Sequence, residues 1–205
     1  EYALILNPDA ILDKNTLDNL LVSANRFKDF AILGPAKQDE YSNIETNLEK
    51  EQVYQVNSLK GFAMLLNLKQ FDKIGFFDEN FFIYLEEIDL CKRLRFYNKK
   101  IYLDKRVSIH HIGGSSHNKK INFEMELSRN WHWMWSLFYF NKKHYGYIFA
   151  LILVSKKLFS SLIKIFLYSL ILNQYKKKIY LQRFSGLYNS IIGNKSWYRP
   201  NINNN

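Results

Sequence analysis

Glu86-Glu87-Ile88-Asp89-Leu90-Cys91-Lys92-Arg93-Leu94-Arg95-Phe96-Tyr97-Asn98-Lys99-Lys100-Ile101-Tyr102-Leu103 joins a helix pattern to a strand pattern across one stop signal. Leu90, Leu94 and Tyr97 recur at helical spacing on one face, and Asp89 stands one turn before Arg93, where the two can pair. Asn98 suits the left-handed residue that ends a helix. Ile101, Leu103, Val107 and Ile109 then predict a strand over 100–109. Upstream, the short apolar run 2–6 predicts a buried strand stopped at Asn7-Pro8-Asp9. Residues 13–28 predict a helix with Leu17, Leu20, Leu21 and Ala24 as its apolar stripe. Residues 30–33 predict a strand closed by Gly34-Pro35, and 37–52 a polar loop. Residues 53–56 and 62–66 predict strands around Gly61, 68–74 a short helix and 75–84 a Phe-rich loop. Strands alternating with helices indicate an α/β sheet. Ligands of open α/β sheets gather at the carboxyl ends of strands. Asp9 and His111 both sit just past such ends.

A chain of 205 residues, 47% hydrophobic, suffices for one domain or one domain with an appendage. The single cysteine, Cys91, excludes an intramolecular disulfide and a Cys-based metal site, and favours a reducing compartment. The net charge of +10 is unevenly placed. Residues 1–126 hold 17 Lys/Arg against 19 Asp/Glu, whereas 127–205 hold 12 Lys/Arg and no acidic residue. That asymmetry sets an expected boundary between 1–126 and 127–205. No signal peptide is visible at Glu1, which leads straight into an apolar run, and the expectation is a chain cut from a longer protein.

Three carboxylates, Glu86, Glu87 and Asp89, follow the aromatic run Phe76-Phe77-Asp78-Glu79-Asn80-Phe81-Phe82. Carboxylates beside apolar bulk are costly unless they bind a cation, pair with a base or handle a proton. They also suit a solvated helix start, where acids complement the dipole. Asp9 and His111 offer an O,N pair suited to Mn²⁺ or Mg²⁺, with diphosphate oxygens completing the shell. Taken singly, Asn7-Pro8-Asp9 is a turn, His111 a strand-end histidine and Gly113-Gly114 a turn.

In order along the chain, several motifs resemble those of family 2 glycosyltransferases of the GT-A fold, closest to the bacterial rhamnosyltransferase-like branch. Leu-Asn7-Pro8-Asp9-Ala10 resembles that family's Asp-X-Asp variant. Lys60-Gly61-Phe62-Ala63-Met64-Leu65-Leu66 resembles its Gly-led strand on the acceptor side. Phe71 to Glu79 resembles F-x-x-I-G-G-F-D-E, and Tyr84 to Arg93 resembles Y-x-E-D-x-D-L-C-x-R. His111-Ile112-Gly113-Gly114-Ser115-Ser116 resembles H-x-G-G-x-S, and Arg129 to Gly146 the region that follows. The resemblance covers about residues 1–146 well.

What the resemblance implies is an α/β, Rossmann-like GT-A domain lacking its first strands, followed by a basic amphipathic helical tail. The implied activity is inverting, metal-dependent transfer of a sugar, rhamnose among the candidates, from a nucleoside-diphosphate sugar. The acceptor would be a hydroxyl of a lipid-linked or cell-surface glycan. Asp9 and His111 would bind Mn²⁺ or Mg²⁺, and Asn7 would join Asp9 at the nucleotide sugar. Glu87 would be the catalytic base, with Glu86, Asp89 and Gly61 shaping or supporting the acceptor side. Three departures accompany the likeness. The base is Glu where Asp is commoner. Asp104-Lys105-Arg106 replaces a Pro-x-Ala surface turn. The strands that hold the nucleobase in the family are missing upstream of Asn7.

Residues 121–141 predict an aromatic helix. Residues 147–172 are apolar but carry Lys156, Lys157 and Lys164, each costing about 2.5–3.5 kcal/mol near a bilayer centre. Lys157, Ser160, Ser161, Lys164 and Tyr168 form a narrow polar stripe on a broad apolar face, the pattern of a helix lying in a membrane interface. The expectation is peripheral attachment to the anionic, cytoplasmic face of the cytoplasmic membrane, with a buried helical subdomain as the other reading. A non-enzymatic basic protein binding lipid or nucleic acid, and an inert GT-A relative, are the alternative functions. Basic residues interleaved with long aliphatic runs favour lipid over nucleic acid.

Overall fold

The computed structural model describes residues 1–35, 52–107, 109–111 and 121–201, with only the backbone of His110 and His111. The expected polar loop therefore lies outside the described residues except at Gln52, as does Ile112 to Ser116. The chain divides into two units, Glu1–Phe77 with Glu87–Ser116, and Asp78–Glu86 with His117–Asn205.

The first unit is mixed α/β. Its elements are β1 (Tyr2–Leu6), β2 (Ala10–Leu12), α1 (Thr16–Arg26), β3 (Phe30–Pro35), β4 (Val53–Gln55), β5 (Ala63–Asn67), α2 (Glu86–Phe96, in this unit from Glu87), β6 (Lys100–Asp104) and β7 (Ile109–His111). Five strands form one sheet in the order β1-β5-β3-β6-β4. β3 and β6 are parallel, while β5 runs antiparallel to both β1 and β3, and β4 antiparallel to β6. β1, β3 and β6 thus share a direction, and their carboxyl ends share an edge.

The Phe30-Ala31-Ile32-Leu33 run is wholly apolar because β3 is covered on both faces, each of these residues being 0% exposed. Alternation sorts the neighbouring strands. Met64, Leu66, Ile101 and Leu103 pack with Leu90, Cys91 and Leu94 of α2. Leu65 and Tyr102 face the other way, with Leu20 and Ala24 of α1. The sheet is therefore sandwiched between two helices.

Several local expectations shift. The buried side of α1 passes through Thr16, Leu20, Ser23 and Ala24, leaving Leu17 and Leu21 exposed. Only Leu68–Gln70 forms a turn of 3-10 helix where 68–74 was expected to be helical. The 100–109 strand is broken at Asp104, whose Oδ1 accepts the Arg106 backbone N–H at 2.9 Å. Asp104-Lys105-Arg106 is not the surface turn expected of it: Asp104 is 0% exposed and takes hydrogen bonds from Ser23 and the Arg106 guanidinium. A carboxylate buried that deeply requires its cation and donors beside it.

The second unit is built on α3 (Asn122–Tyr145), α4 (Tyr147–Leu170) and α5 (Gln174–Ile191). Gly146, at φ 89°, turns the chain from α3 into α4. Met134, Phe138, Ala150, Val154 and Leu187 form its core. Trp131 and Trp135 are buried while Trp133 is 39% exposed. From Asp78 onward the Phe-rich loop belongs to this unit. Ser136 Oγ donates to the Ile83 carbonyl at 2.9 Å, and Phe81 meets Tyr139 edge-on. Asp78 bonds Lys143 at 2.7 Å and accepts from Tyr139 at 3.0 Å. Burial opposes ionisation of Asp78, but the bonds from Lys143, Asn80 and Tyr139 prevail and hold its pKa at about 2. Among the described residues no helix is long and apolar enough to cross a membrane.

Candidate functional site

The carboxyl end of β1 meets the entry to β5 because the two strands are antiparallel, with Leu6 opposite Ala63. One residue further, the Asn7 backbone N–H donates to the Phe62 carbonyl at 2.9 Å. That register sets Asn7 beside Phe62, the neighbour of Gly61. The Gly61 backbone in turn lies against Glu87: a Cβ there would be 3.4 Å from the Glu87 Cβ, 3.5 Å from Cγ and 3.7 Å from Cδ. Asn7, Gly61 and Glu87 are thereby brought to one sheet edge. These are ordinary van der Waals separations, so an alanine at 61 would touch the Glu87 side chain without displacing it.

Glu87 occupies the first turn of α2. Its Oε2 is buried with no hydrogen-bond partner among the described residues. Burial raises its carboxyl pKa above the ordinary value, opposed by its own backbone N–H, the charge of Lys60 and the Ile88 N–H. A desolvated carboxylate with an unengaged oxygen accepts a proton more readily than a solvated one.

Asp9 lies in the turn closed by the Ala10 N–H donating to the Asn7 carbonyl at 3.1 Å. Beyond the turn, β2 pairs antiparallel with β7, with Ala10 opposite His111 and Ile11 opposite His110. The backbone thus brings the Asp9 and His111 positions, some hundred residues apart in sequence, to one end of a short ladder. As an O,N pair they fit part of the shell of Mn²⁺ or Mg²⁺. No cluster of three or more His, Cys, Asp or Glu suited to a metal occurs among the described residues.

Asp89 and Glu86 take other places. Asp89 is 0% exposed and bonds Arg93 Nε at 2.8 Å. Arg93 extends the link to the carbonyls of Ile74, at 2.8 Å, and Phe76, fastening the chain that precedes the helix. Asp89 is accordingly a strut. Glu86, grouped with the second unit, acts on Tyr84, whose phenol pKa is raised by burial, lowered by Arg129 and raised by Glu86.

Two features had no signal in the sequence. Tyr84 and Leu85 adopt left-handed φ of 70° and 68° directly before α2. Neither residue type favours that region, and such strain costs on the order of 1–3 kcal/mol each. The second is the charge of Lys60 acting on Glu87, a non-local pairing that only the β5–α2 packing creates.

Compared with known proteins, the chain matches no family model, no curated protein and no solved structure.

Proposed function

We propose that this chain carries the acceptor side of an inverting glycosyltransferase site built on a GT-A-type domain. The observation that carries the reading is Glu87, a carboxylate lodged at a helix start against Gly61, with a raised pKa and one oxygen unengaged. The motif order supports the assignment, as does the arrangement of Asn7 and Gly61 on the edge where β1 ends. Glu87 takes the proton from an acceptor hydroxyl. The hydroxyl oxygen attacks the anomeric carbon as the nucleoside diphosphate departs from the opposite side, inverting the configuration. Asp9 and His111 would hold Mn²⁺ or Mg²⁺, which when bound offsets charge on the departing diphosphate. Asn7 positions the nucleotide sugar, and Asp89 keeps α2 in register through Arg93. A glycan on a lipid carrier is the acceptor class. Peripheral attachment at the cytoplasmic membrane face is supported by α4, where Ile152, Phe159, Ile163 and Phe166 are each more than half exposed.

The test is sugar transfer with Mn²⁺ across a panel of nucleotide sugars, using wild type and Glu87→Gln. Transfer by wild type with a loss of at least about 100-fold in the variant is expected of a general base. Full activity in Glu87→Gln would refute the role.

A further inference from the structure

Within the second unit, α3, α4 and α5 border two cavities that share one residue, Arg183. The first, of about 370 Å³, is lined by Tyr84, Arg129, Asn130, Trp133 and Arg183. The second, of about 320 Å³, is lined by Lys156, Lys157 and Lys164 with Ser160, Ser161, Tyr180 and Arg183. The polar stripe legible on α4 is thus turned toward α5, with Lys164 Nζ donating to the Tyr180 hydroxyl at 3.0 Å.

Among the described residues none of these cations forms a salt bridge with a carboxylate. Arg129 spends its Nε on the Met125 carbonyl at 3.3 Å, and Arg183 lies over the Tyr180 ring. Neither forms a salt bridge among the described residues, and no carboxylate lines either cavity. Holding Arg129 and Arg183 around the first cavity, and Arg183 with three lysines around the second, is unfavourable unless an anion enters this shared basic cleft. Guanidinium pairs suit phosphate oxygens through forked hydrogen bonds, and lysine ammonium adds charge. The exposed apolar side of α4 supplies a surface for hydrocarbon, so the two faces together match an amphiphile.

We propose that this cleft binds the phosphate or diphosphate group of a membrane lipid. Arg129 and Arg183 hold the phosphate oxygens, and Lys157 and Lys164 flank them. The proposal deepens the membrane part of the function above and does not depend on Glu87. Diffuse attraction to anionic lipid gives the protein equal affinity for any headgroup at equal surface charge. A built phosphate site gives preference for an accessible phosphomonoester, and keeps it when salt screens the diffuse attraction.

The experiment is flotation of the full chain with phosphatidylcholine vesicles carrying phosphatidic acid or phosphatidylserine, matched for surface charge, in 0.5 M KCl. Wild type and Glu87→Gln are expected to prefer phosphatidic acid. Arg129→Gln/Arg183→Gln is expected to lose that preference, with binding to phosphatidic acid falling at least about 10-fold, as for a lost charge-assisted hydrogen bond. Lys176→Gln/Lys178→Gln, on α5 outside the cavities, is expected to retain it. Lys157→Gln/Lys164→Gln provides a second test should the arginine variant lose its helicity. Equal binding to both headgroups, or equal losses in cleft and control variants, would overturn the site. Micromolar, saturable binding of inorganic diphosphate without vesicles would overturn the lipid as its source. Headgroup preference in a protein without transfer activity would sink the enzymatic reading alone, and transfer without preference would sink this one alone.

Discussion

Gly186→Ala separates packing from helix propensity, because the two give opposite signs. Gly186 is interior to α5, where alanine should gain about 1 kcal/mol of propensity. A Cβ at Gly186, however, would lie 2.2 Å from the carbonyl oxygen of Trp131, 3.0 Å from its carbonyl carbon and 3.2 Å from its Cα. The obstacle is backbone, which has no rotamer to yield. α3 and α5 would have to part by about 1.2 Å to reach the 3.4 Å at which ordinary contact begins. The surroundings are close-packed, with Trp131 and Leu187 0% exposed and Ser190 Oγ donating to the Trp135 carbonyl at 2.9 Å. Overpacking of this kind costs up to about 3 kcal/mol, leaving a net loss of about 2 kcal/mol after the propensity gain. Urea unfolding followed by tryptophan fluorescence measures it, since all 4 tryptophans belong to the second unit. At about 2 kcal/mol per molar urea, the midpoint should fall by about 1 M. An unchanged or higher midpoint would show that the helices do not approach so closely, and the packing argument would fail.

Three further outcomes are expected. His132 is 0% exposed, donates from Nε2 to the Tyr198 carbonyl at 2.8 Å and receives the Ser196 hydroxyl on Nδ1 at 2.9 Å. Burial, reinforced by Arg199 against the Tyr198 bond, lowers its pKa to about 4 from 6.5. Its stabilisation is complete above the unfolded value and is lost as pH falls through about 4, roughly 3 kcal/mol in all. Stability measured from pH 7 to 4 should therefore drop more steeply in wild type than in His132→Asn. The Glu87 shift has the opposite consequence. Its raised pKa means that folding is favoured at low pH and penalised as pH rises through the folded value. The melting temperature of Glu87→Gln minus that of wild type should thus grow between pH 4 and 8; a constant difference would contradict the burial of that charge. Arg93→Met removes the 2.8 Å ion pair to the 0%-exposed Asp89 and should cost about 3–5 kcal/mol in chemical denaturation. Adding Asp89→Asn should recover part of that loss.

The elements with local causes were legible in the residues. The apolar run at 30–33 marked a strand, though not that both its faces are covered, while the run at 2–6, expected to be buried, forms the partly exposed edge strand β1. The spacing of Asp89 and Arg93 marked their pair, seen at 2.8 Å, and Asn98 stopped α2 at φ 56°. The candidate site was legible as types and order, Asn7-Pro8-Asp9, Gly61, Glu87 and His111, but not as an arrangement. The contact of Gly61 with Glu87, the pairing of Ala10 opposite His111 and the burial of Asp104 all join residues far apart in the chain.

What the sequence by itself determined is many of the strand and helix segments, though not β2, the break at Asp104 or the single 3-10 turn at 68–70, and that α4 carries a polar stripe on an apolar cylinder. Periodicity reports the faces of one element, because it arises from that element's own geometry. Tertiary structure alone decided what each face meets. It placed β5 antiparallel between β1 and β3, brought Gly186 against the Trp131 backbone and turned the polar stripe of α4 toward Arg183. Those choices rest on the fit of distant surfaces, a property of pairs of elements that no single stretch of residues contains.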